Sequence, residues 1–141
     1  MTIAQGQCTI FKKNCLSALE NFAVGTPYTY KIALYTANAT LNQSTLTYTT
    51  TGEVVGTGYT AGGKTLTVIP PQTDDYTAYL SFATVTWNPA SFTVRGALIY
   101  NSTTNAAVAV LDFGADKTPT TNFTITFPTD NASNAIIRFS N

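Results

Sequence analysis

Residues 91–114, Ser91-Phe92-Thr93-Val94-Arg95-Gly96-Ala97-Leu98-Ile99-Tyr100-Asn101-Ser102-Thr103-Thr104-Asn105-Ala106-Ala107-Val108-Ala109-Val110-Leu111-Asp112-Phe113-Gly114, set two apolar runs on either side of a short polar segment. In the first run Phe92, Val94, Leu98 and Tyr100 alternate with smaller or polar neighbours, the period-two pattern of a strand with one covered face. The second, Ala107 to Leu111, is apolar on both faces and predicts a deeply buried strand. Asn101 to Asn105 is too short to do anything but reverse the chain. The pair therefore reads as a β-hairpin with a five-residue loop, at the centre of the fold.

The same pattern extends outward. Tyr28, Tyr30, Ile32 and Leu34 alternate with Thr29, Lys31, Ala33 and Tyr35, and further strands are predicted at 46–50, 64–69, 78–87, 121–127 and 134–139. Pro70-Pro71, Asn88-Pro89, Gly114 to Pro119 and Pro128 to Asn131 stand between them as turn signals. One segment departs from this period. Across residues 8–23, Cys8, Phe11, Cys15, Leu19 and Phe22 recur at spacings of three and four, which predicts an amphipathic helix capped by Thr9 and stopped by Gly25 and Pro27. The expected fold is mainly β, an antiparallel β-sandwich with one N-terminal amphipathic helix and a flattened barrel as the alternative. It forms one domain over 1–141, helix at 8–23 and sandwich at 28–139.

Composition narrows the function. Of 141 residues 44% are hydrophobic, so a packed core can form, but only 10% are charged, against about a quarter in ordinary domains. Threonine makes up about a fifth of the chain, a composition suited to half-buried sheets. Seven basic residues balance seven acidic ones, which gives no basic surface for nucleic acid and little repulsion between copies. Met1 to Gly6 lacks the features of a secretory signal, and no apolar run is long enough to span a membrane. A chain made in the cytoplasm is expected.

Cys8 and Cys15 lie about 10.5 Å apart on a continuous helix, too far for a disulfide, so both are expected as free thiols on a buried face. No histidine is present to activate them.

The sharpest chemical motif is Gly58-Tyr59-Thr60-Ala61-Gly62-Gly63-Lys64-Thr65, which satisfies the phosphate-loop pattern G-x4-G-K-[ST]. Val108 to Asp112 adds an apolar run ending in the kind of aspartate that holds magnesium. The mechanism requires a helix directly after the loop, so that its N-terminal amides receive phosphate. Thr65 to Ile69 is instead β-branched and runs into Pro70-Pro71, which predicts a glycine-rich turn between strands. Asp112-Phe113-Gly114 repeats a kinase triplet without the histidine loop that accompanies it. The sequons at Asn38, Asn42, Asn101, Asn122 and Asn131 reflect Asn and Thr abundance. Asp74-Asp75, Asp112 with Asp116, and Asp130 lack the spacing of a calcium loop and read as loop charges. Tyr28, Tyr30, Tyr35, Tyr48, Tyr59, Tyr76, Tyr79 and Trp87 are candidates for stacking on sugars, with core packing the alternative and Trp87 expected as a core anchor. No catalytic, cofactor or metal residue is assigned.

Gly56-Thr57-Gly58-Tyr59-Thr60-Ala61-Gly62-Gly63-Lys64-Thr65-Leu66, Thr86-Trp87, Arg95 to Asn101 and Ala107 to Gly114, taken in order, resemble a family of small virion structural proteins of tailed bacteriophages. The opening helix with Tyr30-Lys31-Ile32-Ala33-Leu34-Tyr35-Thr36, and the end from Phe127-Pro128 to Ala135-Ile136-Ile137-Arg138, extend the resemblance over most of the chain. It implies a virion component that is not an enzyme, needs no cofactor, and binds the major capsid protein or other virion proteins and copies of itself, with a trimer as the candidate assembly. Head decoration (cement) is the expected place. A neck, tail or fibre-base position and a host-glycan-binding surface module are the alternatives, and a nucleotide binder built on 58–65 is the weakest. The helix and the loops at 37–45, 52–63 and 70–76 are the expected contact regions, with Phe11, Leu19, Phe22, Tyr59 and Arg95 as candidate interface residues. Arg95, alone in an apolar strand, is expected either in a buried or interfacial ion pair or exposed on an outer face.

Overall fold

In a computed structural model, residues 2–25 and 28–140 are described. Among them are ten strands and one helix in the order β1 (Gly6–Gln7), α1 (Thr9–Leu16), β2 (Tyr30–Tyr35), β3 (Lys64–Thr65), β4 (Val68–Asp74), β5 (Thr77–Phe82), β6 (Val85–Trp87), β7 (Val94–Asn101), β8 (Ala106–Lys117), β9 (Phe123–Ile125) and β10 (Ile137–Phe139). The main sheet runs β1-β8-β7-β2-β3, a second runs β10-β5-β4, and β6 pairs with β9. These strand pairs are antiparallel, and the three sheets stay separate rather than closing into a barrel.

The expected hairpin is the centre of the main sheet. β7 and β8 pair from Asn101↔Ala106 onward, so the loop is one residue shorter than predicted. Asn101 closes it by accepting the backbone N–H groups of Thr103 and Thr104 on Oδ1, as a short amide side chain does in a turn. Partners jump from Ile99↔Ala109 to Tyr100↔Ala107, which leaves Val108 as a bulge. Ala106 to Leu111 is buried throughout, as the doubly apolar pattern required. Trp87, Tyr30, Tyr35, Phe11, Ile32, Leu34 and Leu98 are among the largest fully enclosed side chains, and one continuous core joins residues from all three sheets and the helix.

The helix is half the expected length. It ends at Leu16 because Ser17 leaves helical geometry and Ala18 adopts φ +58°. Leu19 N–H then bonds Asn14 O at 2.8 Å and Ala18 N–H bonds Cys15 O at 3.3 Å, the paired reversal that glycine usually makes. Phe22 still reaches the core from the returning coil, stacking on Tyr30 with ring centroids 4.2 Å apart. The expected cap is also displaced. Cys8 is the N-cap and makes no side-chain cap bond, while Thr9 is the first helical residue. The chain enters the helix from a strand, and the amides of Cys8 and Thr9 are taken by the carbonyls of Val108 and Gln43. Gly25 has φ +80°, and Pro27 lies outside the described residues.

Strand boundaries also differ, among them that of β8, which runs through Gly114, expected as a turn, to Lys117. Residues 46–50 form no strand and share a single β-bridge with the sheet, Thr47↔Ala106. The 64–69 strand breaks, and its second half continues through Pro70-Pro71, expected as a turn, to Asp74. β4 is an edge strand whose register shifts between Ile69 and Gln72, and both features let it accept residues with no N–H to donate. The 78–87 strand divides at Ala83 and Thr84.

Candidate functional site

Gly58 to Thr65 forms a turn that feeds strand β3, and no helix follows it. Its glycines answer a packing need. A Cβ on Gly58 would collide with the Pro89 carbonyl, and one on Gly63 with the Ile32 carbonyl, while both have φ near or above +77°. The backbone must pass that close because Gly58 lies against Pro89 and Ala90 and Gly63 leads into β3, which pairs along the edge of β2 at Ile32↔Lys64. Its donors face inward to the protein's own acceptors: Tyr59 N–H to Gly56 O at 3.2 Å, Gly63 N–H to Thr60 O at 3.0 Å, and Gly62 N–H to Glu53 Oε1 at 2.7 Å. Lys64, the residue that would reach a phosphate, donates Nζ to Thr86 O at 2.6 Å and lies 5.8 Å from the centre of the Trp87 ring.

Glu53 organises this region. A bridge to Tyr35 and the bond from Val54 N–H to Leu34 O hold its backbone beside β2. Its carboxylate, buried, accepts Tyr59 OH at 2.5 Å on Oε1 and Tyr48 OH at 2.7 Å on Oε2. Tyr100 stacks on Tyr48 at 4.8 Å and donates to Gly62 O at 2.7 Å, and Tyr35 donates to Thr49 O at 2.6 Å. The tyrosine hydroxyls are held well above their ordinary pKa, first by burial and, for Tyr48 and Tyr59, next by bonding to the carboxylate. The network ties the long 36–63 connection to the main sheet, a positioning role with no open acid–base pair. Glu53 lies outside the carboxylates that sequence spacing singles out, all of which are aspartates. The available signal was that the chain has only two glutamates, Glu20 and Glu53, and both bond tyrosine hydroxyls.

The five candidate interface residues do not form one surface. Phe11 and Phe22 are core residues, in edge-to-face contact with each other at 6.0 Å. Tyr59 is half-buried and committed to Glu53 and to the N–H of Leu34. Leu19 presents its side chain outward. Arg95 pairs with Asp112 at 3.4 Å and reaches Asp116 at 3.9 Å on a partly exposed face, between the two placements expected for it. Such exposed pairs contribute at most about 1 kcal/mol.

Of the aromatic candidates, Trp87, Tyr30 and Tyr35 are enclosed, Tyr28, Tyr48, Tyr59 and Tyr79 are half-buried, and Tyr76 is exposed. Cys8 and Cys15 are free thiols, each pushed up to about 11 by burial. Among the described residues no group of three or more histidine, cysteine or carboxylate side chains converges as a metal site would require. Large apolar side chains do stand in solvent: Val55 is 94% exposed, Leu16 91%, Val24 83% and Tyr76 78%.

No family model matches the chain, and neither the curated proteins nor the solved structures contain a significant match.

Proposed function

We propose that this chain is a structural component of a tailed-phage virion, a capsid decoration protein that cements the head lattice through protein–protein contacts with the major capsid protein and with copies of itself. The observation that carries the reading is the exterior. Val55 lies in the 52–63 loop, Tyr76 in the turn between β4 and β5, within the 70–76 segment, and Leu16 and Leu19 lie at and just past the end of α1. All belong to or border the regions expected to make contacts. Large apolar groups standing free on a charge-poor surface gain by being covered, and few ions must be stripped of water when they are.

The scaffold beneath is suited to the task, because the buried glutamate and the close-packed glycine turn fix the 36–63 excursion to the sheet. A surface held in one shape loses little entropy on docking. The resemblance across residues 56–66, 95–101 and 107–114 supports a phage particle in particular.

Quantitative mass spectrometry of purified virions tests the reading. A copy number comparable with the number of head-lattice positions, and heads that break more readily when the protein is missing, are expected. A few copies confined to neck or tail would replace decoration with the alternative virion role, and absence from the particle would overturn both.

A further inference from the structure

A groove of about 630 Å³ runs between α1 and the end of β10. Lys12, Cys15 and Leu16 line it from the helix and Arg138 and Phe139 from the strand, and Gln7 braces the strand side by donating Nε2 to Arg138 O at 3.3 Å. Leu16 is 91% exposed and Phe139 43%. Lys12 and Arg138 are exposed too, and no aspartate or glutamate lines the groove. Arg138 donates Nη1 to Ala132 O at 3.2 Å, which leaves most of its N–H groups for another acceptor.

A complementary group stands beside the groove. Asp74 pairs with Thr77 at the base of the β4–β5 hairpin, so Asp75 and Tyr76 form a two-residue turn, with Asp75 at φ +54°. Asp74, Asp75 and Tyr76 are all exposed, and nowhere else in the sequence do two acidic residues adjoin. The ion pairs among the described residues are made by Arg95, and neither the turn's carboxylates nor the groove's cations take part in one. Phe139 faces Ala78 across β10–β5 and Ala78 faces Thr73 across β5–β4, so the turn and the groove lie at the same end of one sheet.

We propose that a second copy of this chain docks on this end of the molecule, the Asp74-Asp75-Tyr76 turn of each copy entering the groove of the other. Because turn and groove lie side by side, a two-fold axis brings each turn to the opposite groove, and the contact is made twice. The carboxylates then meet Lys12 and Arg138, while Tyr76 covers Leu16 and Phe139. An aromatic side chain flanked by opposite charges serves as anchor and sets the register of such an interface. Within one chain the β4–β5 pairing holds the turn, which makes no ion pair with its own groove, so the contact is left to a separate copy. The inference rests on the virion reading only in expecting copies to meet, and it is measured on the isolated chain.

Sedimentation velocity of the full chain over a concentration series tests it. A dimer is expected, weakening as salt rises. Lys12→Glu with Arg138→Glu, and separately Asp74→Lys with Asp75→Asn, should each weaken it at least about tenfold, since like charges then face one another. Asparagine is chosen at 75 because it tolerates the positive φ. An equimolar mixture of the two variants should restore the dimer, because each turn then meets a groove of opposite charge. Tyr76→Ser, at an exposed site, should weaken it as well and reads the contact even if a charge variant does not fold. A monomer at about 0.5 mM, a trimer in place of the dimer, folded variants that associate as tightly as the unaltered chain, or a mixture of folded variants no tighter than its components would each overturn the proposal. None of these results alters the copy number in the particle, which tests the virion reading separately.

Discussion

The hydroxyl of Tyr59 donates to Glu53 Oε1 at 2.5 Å and accepts the backbone N–H of Leu34 at 3.0 Å. One side chain from the glycine turn thus satisfies a strand amide of β2 and a buried carboxylate together. Removing the carboxylate should leave Tyr59, Tyr48 and the Gly62 N–H without their acceptor. Glu53→Ala is expected to cost about 3 kcal/mol or more, and Glu53→Gln less, because its one carbonyl still serves the two donors on Oε1. Urea unfolding of the two variants gives the order. A loss below about 1 kcal/mol for Glu53→Ala would show that the network does not anchor the connection.

The turn from Gly58 to Thr65 separates two readings of one motif. If its glycines serve close backbone approach, Gly63→Ala must push a methyl into the Ile32 carbonyl at φ +77°, with a loss exceeding about 2 kcal/mol. Lys64→Ala removes one hydrogen bond and one ring contact and should cost about 1 kcal/mol or less. A phosphate loop would behave differently, with Lys64→Ala abolishing nucleotide binding. Thermal melts with and without ATP and magnesium distinguish the two, and no ATP-dependent shift is expected.

Alkaline pH should unfold the protein abruptly. Tyr30, Tyr35, Tyr48, Tyr59 and Tyr100 all have pKa values raised first by burial. Their folded forms hold the phenolic proton more tightly than the unfolded chain, in which tyrosine titrates near pH 10. The stability they contribute is complete below about pH 10 and falls as pH rises toward the folded values. Phenolate absorbance from these five should rise together with the loss of near-ultraviolet circular dichroism. Their ionisation in a protein that stays folded would contradict the packing described.

Ala18 holds a left-handed conformation at the end of α1 that a glycine adopts without strain. Ala18→Gly should therefore stabilise the protein by about 1 kcal/mol, read as a rise in the denaturation midpoint. A destabilisation of similar size would mean that the helix ends elsewhere in solution.

The same residue shows why the apolar stripe outruns the helix. The apolar spacing at Leu19 and Phe22 continues the stripe, and nothing in an alanine announces positive φ; the reversal is imposed by Phe22 turning back onto Tyr30 and Phe82. The β7–β8 hairpin was legible because alternation, a doubly apolar partner and a polar loop agree over consecutive residues. Pro70-Pro71 misled in the opposite direction, since an edge strand tolerates what a central one does not. Glu20 and Glu53 stand out less, for different reasons. Asn101, which pairs with Glu20, lies 81 residues away in sequence, whereas the partners of Glu53 lie within nine residues but converge on it only because the 36–63 connection folds back beside β2. Phe11 lies on the helix stripe as expected, while Phe22 reaches the core from the coil beyond the helix, and the stripe could not say that this chain's own sheet covers them.

A density map of the intact particle tests the central claim most directly. The expected result is this mainly β fold, repeated over the head surface at lattice positions, with Leu16, Val55 and Tyr76 covered by neighbouring subunits. A map in which the fold is absent from the particle, or is present with those side chains facing solvent, would contradict the account.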